Sequence, residues 1–133
     1  MDEATKAILS VSGVLFGFLF AGFWWILNRE LGFEEEERHF KLSTGILMLS
    51  IFLLGIFGII IPLKRVVGAN PALLMSYRGV LLAIIATYGY MLTEFGHYSV
   101  FQFPKYKTNL EWFFFLTTVL VMAALALKWW VFR

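Results

Sequence analysis

Residues 42–63 read LSTGILMLSIFLLGIFGIIIPL, 22 residues without a charge between Lys41 and Lys64. As a helix rising about 1.5 Å per residue, this stretch is roughly 33 Å long, enough to cross a hydrocarbon core of about 30 Å. Residues 7–28, AILSVSGVLFGFLFAGFWWILN, form a second run of the same length between Lys6 and Arg29. Two shorter charge-free runs follow, 79–93 between Arg78 and Glu94, and 112–127 between Glu111 and Lys128. Long side chains at the ends of such runs extend their reach by snorkelling to the interface. Only 15% of the residues are charged and 60% are apolar, where a soluble domain carries about a quarter charged. The reading is an all-α integral membrane four-helix bundle, one transmembrane domain over residues 1–133, with spans near 5–31, 36–63, 73–95 and 109–130.

Local signals set the expected helix ends. Gly32 supplies a C′ position after the first span. The run Glu34 to Glu37 suits the positive N-terminal end of the second helix. Pro62 removes the bond to the Gly58 carbonyl, which predicts a kink or an early ending there. Asn70 and Pro71 read as N-cap and first residue of the third helix, with Gly96 as its stop. Thr108 and Glu111 form a T-x-x-E capping box opening the fourth. Trp24, Trp25 and Trp112 mark one interface, and Trp129 and Trp130 the other. Four spans predict an up-down-up-down path with both termini on one side. That side carries Lys6, Lys64, Arg65, Arg78, Lys128 and Arg133; the other carries Arg29, Arg38, Lys41, Lys105 and Lys107. Six against five assigns the termini to the cytoplasmic face of a multi-pass protein, taken to lie in a prokaryotic plasma membrane. The acidic start, Met1-Asp2-Glu3, differs from the basic start of a cleavable signal, so the first span reads as retained.

Chemistry-bearing residues gather at the non-cytoplasmic end: Glu30, Glu34 to Glu37, His39, Glu94, His97 and Glu111. Glu36 to His39 and Glu94 to His97 both read E-x-x-H. Four-helix di-metal proteins use two such fragments plus one Glu from each other helix, and Glu30 and Glu111 complete that inventory. Ordinary interfacial electrostatics is the preferred reading. Four consecutive glutamates guarantee one at i−3 from His39, Glu111 has its capping box, and the order of fragments differs from that of ferritin-like proteins. A di-metal site on Glu30, Glu36, His39, Glu94, His97 and Glu111, or a haem between His39 and His97, stands as the alternative; no cofactor is expected. Glu94 opposes the helix dipole and calls for a cation among Arg38, Lys41, Lys105 and Lys107. Arg78, two turns into the third helix, reads as snorkelling or as a partner for Asp2 or Glu3, with a lipid headgroup or other anion as its functional alternative.

The middle of the membrane holds no Asp, Glu, Lys, Arg or His, which argues against a proton-coupled transporter. Ser50, Thr87, Tyr88, Tyr90, Thr117 and Thr118 are the mid-span polar residues, and such hydroxyls commonly bond a backbone carbonyl. Ser10, Gly13, Gly17 and Ala21 make a small-residue face on the first helix, and Gly55 and Gly58 do so on the second, suited to close helix packing. The absence of cysteine excludes disulfides and thiolate chemistry, and a net charge of +2 gives no sign of nucleic acid. The expected partners are the lipid bilayer and other membrane subunits or further copies. The expected function is a non-catalytic subunit of a larger membrane complex, respiratory or energy-converting, with a homo-oligomeric channel or small transporter, and then a metal-dependent membrane enzyme, as alternatives.

Overall fold

A computed structural model describes residues 2–32, 42–97 and 107–132, with the side chains of Glu30, Leu42, Ser43, Lys107 and Thr108 outside the description. The described chain is helical: α1 (Glu3–Leu31), α2 (Leu42–Leu53), a π-helical segment (Leu54–Ile60), α3 (Ile61–Ala69), a 3₁₀ turn (Pro71–Leu73), α4 (Leu74–His97) and α5 (Lys107–Val131). Four stretches are long and apolar enough to cross a membrane: Glu3–Arg29, Thr44–Ala69, Pro71–His97 and Asn109–Val131. The chain is therefore a multi-pass membrane protein of all-helical class.

It divides into two compact units, residues 1–29 with 41–81, and residues 30–40 with 82–133. In the first unit, α1 lies beside the second span. A Cβ built on Gly22 would touch Leu47 Cδ2 at 3.9 Å, and one built on Gly58 would overlap the Ser12 side chain, reaching its Cβ at 2.8 Å. Residue 22 faces 47 and residue 12 faces 58, so the two helices run antiparallel. Buried positions on the second span fall at Thr44, Met48, Ile51, Gly55, Gly58 and Pro62. Steps of four and three keep one face against a neighbour, as helix periodicity requires. On α1 the buried residues are Ser12, Phe23 and Leu27, with Phe20 stacked on Phe23 at 5.7 Å.

Of the two outcomes expected at Pro62, an early ending does not occur: the helix continues to Ala69. The seven residues before Ile61 widen into π geometry, and the Ile61 N–H donates to the Ile56 carbonyl, five residues back. Proline has no N–H, and in an α-helix its ring clashes with the carbonyl four residues earlier. Shifting the register by one residue accommodates both defects inside the membrane, where an interrupted helix would expose backbone to lipid. Asn70 does lie before Pro71, but no side-chain bond caps the turn; its backbone N–H donates to the Val66 carbonyl at 2.9 Å and its carbonyl accepts from Leu73 at 3.1 Å.

The opening of α1 carries a cap that the sequence reading passed over. The Thr5 N–H donates to Asp2 Oδ1 at 2.6 Å. Together with a side-chain bond to Thr5 and the nearby positive charges of the N-terminus and Arg65, this holds the Asp2 carboxyl below its ordinary pKa. An aspartate ahead of the first apolar-periodic residue was the available signal.

In the second unit α4 and α5 form another antiparallel pair. A Cβ on Gly89 would overlap the Thr118 side chain, reaching its Cβ at 2.7 Å, and one on Gly96 would meet the Glu111 backbone nitrogen at 3.2 Å. Residues 89 and 118, then 96 and 111, keep the same sum, the mark of helices running in opposite directions. Gly96 thus has a different task from the one expected. It does not stop the helix, since α4 runs on to His97. Lacking a side chain, it lets the backbone at the start of α5 come close.

Candidate functional site

The His97 and Glu111 side chains meet where α4 ends and α5 begins. His97 Nδ1 and Glu111 Oε2 are 2.9 Å apart. An ionised carboxylate only accepts, so Nδ1 carries the hydrogen and donates it. The two side chains are 46% and 35% exposed, so water competes with the bond. The same place is built by Gly96: the close backbone approach it permits brings the first turn of α5 within reach of the last turn of α4.

α5 opens at Lys107, one residue ahead of the expected cap at Thr108. Glu111 reaches across to the neighbouring helix, a connection that a capping-box reading does not contain. Glu94 stands one turn before His97 on the same helix, half-buried. Its expected cationic partners Arg38, Lys41 and Lys105 lie outside the described residues, as does the Lys107 side chain. Glu36 and His39, and the Glu30 side chain, are outside them too. Of the six residues read as a di-metal inventory, the described structure joins His97 to Glu111. Among the described residues no three of His, Asp or Glu are grouped to hold a metal ion.

Two hollows adjoin this pair on the α4–α5 unit. One, of about 220 Å3, is lined by Thr93, Glu111, Trp112 and Phe115. The next, of about 280 Å3, shares Thr93 and Phe115 and continues along Tyr90, Gly89, Val119 and Met122. Trp112 meets Phe115 edge to face at 5.8 Å, which shapes the wall common to both. Together they make a groove with a carboxylate at its interfacial end and apolar walls beyond.

Three of the six mid-span hydroxyls, those of Ser50, Thr87 and Thr118, bond backbone carbonyls as the sequence reading expects. Ser50 donates to the Ile46 carbonyl at 2.9 Å, Thr87 to Ala83 at 2.9 Å and Thr118 to Phe114 at 2.7 Å. Each bond stays within its own helix, four residues back. Arg78 is half-buried with its Nε shielded from solvent, and the charge of Arg65 contributes to lowering the Asp2 pKa. At the far end of α1, Arg29 lies over the Trp25 ring, 5.5 Å from its centre, a cation held on an interfacial aromatic.

The small-residue positions separate into two kinds. Gly55 and Gly58 are buried, and Gly58 receives Ser12. Ser10, Gly13, Gly17 and Ala21 are exposed, and a Cβ on Gly13 or Gly17 would meet nothing within 4 Å. The pairings of Ser12 with Gly58 and of Gly89 with Thr118 had no sequence signal beyond a glycine inside a helix, where it costs about 1 kcal/mol against alanine and so asks for a reason. Compared with known protein families, curated proteins and solved structures, the chain shows no match.

Proposed function

We propose that this chain is a non-catalytic subunit of a larger membrane complex, docking a partner helix on the open face of α1. The observation that carries this reading is the contrast among its glycines. Gly58 and Gly89 are filled by side chains of their own unit, whereas Gly13 and Gly17 present bare backbone to the exterior. A glycine in a helix interior costs stability, and in lipid small residues are what allow another helix to approach. Gly13, Gly17 and Ala21 recur every four residues, so they form one strip about two turns long.

Two further facts favour a packing role over transport. No Asp, Glu, Lys, Arg or His lies in the middle of the spans, and Ser50, Thr87 and Thr118 spend their hydroxyl hydrogens on their own helices. An ion path ordinarily presents such groups to the permeant species. On this reading both termini lie on the cytoplasmic side and the His97–Glu111 end lies opposite.

The test is purification from native membranes in a mild detergent, once with the native chain and once with Gly17→Leu. The expected result is a stoichiometric partner that co-elutes with the native chain and is lost from the variant. A monodisperse particle containing this chain alone refutes the proposal. Ion flux through liposomes holding only this chain would replace it with the channel reading.

A further inference from the structure

We propose that the groove on the α4–α5 unit binds a phospholipid with a primary-amine head, its ammonium on the Glu111 carboxylate and one acyl chain along the groove. Three observations select this occupant. The first is length. The walls run from Glu111 to Met122 on α5, eleven residues, or about 16 Å of helix. Half of a hydrocarbon core of about 30 Å is about 15 Å, so the groove is as long as one leaflet is deep. The second is its gradient: Glu111 and Thr93 stand at the interfacial end, and Val119 and Met122 at the other. An amphiphile with a single polar end matches that order.

The third is charge. Glu111 lies two residues inside the start of the span Asn109–Val131, at headgroup depth, and its described ion partner is a histidine that is cationic only when protonated. A carboxylate there favours a charged N–H donor. Among bilayer constituents, a primary ammonium head supplies that donor at that depth. A choline head carries the same charge and phosphate but no N–H. The phosphate of the bound lipid then falls beside the first turn of α5, whose partial positive charge suits an anion.

The experiment reconstitutes the full chain in vesicles of equal ethanolamine and choline phospholipid with identical acyl chains. It is then extracted gently, and the retained lipids are counted by native mass spectrometry. The expected result is a roughly two- to fivefold enrichment of the ethanolamine lipid, about what one charge-assisted hydrogen bond at a half-exposed site supplies. Glu111→Gln brings the ratio to about one, while Glu94→Gln, which keeps the Glu111 carboxylate, preserves it. Met122→Trp, filling the chain end of the groove, lowers retention of both lipids together. Equal retention of the two lipids by the native chain overturns the proposal, whether or not Glu111→Gln folds. So does loss of the preference in Glu94→Gln, which would assign it to a different carboxylate, and so does preferential retention of an added quinol over the ethanolamine lipid.

Discussion

Substituting alanine for glycine has opposite consequences at two places in this chain, and the sign reports what lies across each helix face. At Gly89 the new Cβ would sit 2.7 Å from Thr118 Cβ and overlap its Oγ1 and Cγ2. Carbon atoms rest about 3.5–4.0 Å apart, so α4 and α5 must separate by about 1 Å to clear the Thr118 Cβ, and Thr118 must also turn to clear its Oγ1 and Cγ2. Turning is resisted, because threonine is β-branched and its hydroxyl donates to the Phe114 carbonyl at 2.7 Å. Overpacking of this kind costs about 1–3 kcal/mol, against about 0.5–1 kcal/mol gained by replacing a helical glycine. Gly89→Ala should therefore lose about 0.5–2 kcal/mol. Gly13→Ala and Gly17→Ala, with nothing within 4 Å, should each gain about 0.5–1 kcal/mol in the isolated chain. Equilibrium unfolding in bicelles, followed by helical circular dichroism, measures all three. Adding Thr118→Gly to Gly89→Ala should recover most of the loss, less the cost of the new glycine. A Gly89→Ala chain as stable as the parent, or more stable, refutes the packing described for α4 and α5.

The same substitution bears on function at α1. Gly17→Ala should strengthen the isolated chain yet weaken its association with a partner, a combination that quantitative co-purification and unfolding read separately. Gly58→Ala should destabilise by about 0.5–2 kcal/mol through overlap with Ser12, net of the gain from replacing a helical glycine, and Ser12→Gly should rescue it in the same unfolding assay. Asp2→Ala should speed amide exchange over the first turn of α1, while Asp2→Asn, which keeps the accepting oxygen, should not. Because the Asp2 pKa is lowered in the folded chain, its contribution is complete above the unfolded pKa and fades as pH falls through the folded one; protection of the Thr5 amide relative to its intrinsic exchange rate should fall in that acid window. Glu111→Gln should cost no more than about 1 kcal/mol, since the pair with His97 is half-exposed, which a thermal melt in detergent can check.

The membrane class was legible because it depends on local quantities. Charge-free runs of 22 residues, belts of tryptophan and turn residues such as Gly32 and Pro71 act through chain length, solvation and backbone freedom close at hand. The interior of the second span was legible only in part. Pro62 announced a disturbance, but its form, a register shift upstream with the helix continuing to Ala69, depends on the cost of exposing backbone to lipid. At the candidate site, both members of the His97–Glu111 pair stood out by residue type. Spacing along one helix gave each a local partner, Glu94 for His97 and Thr108 for Glu111, and the two were grouped across helices only within the six-residue di-metal alternative, because a sequence does not display which side chains meet.

By itself, then, the sequence determined that the chain crosses a membrane, where its spans lie and which residues share a helix face. Gly17 and Gly58 look alike at that level, since each belongs to a row of small residues. Tertiary structure alone decided that one receives Ser12 and the other faces outward, and that Gly96 serves a helix approach in place of a helix end. The physical reason is that periodicity defines a face but carries no information about what stands opposite, and contact between helices is made by residues tens of positions apart.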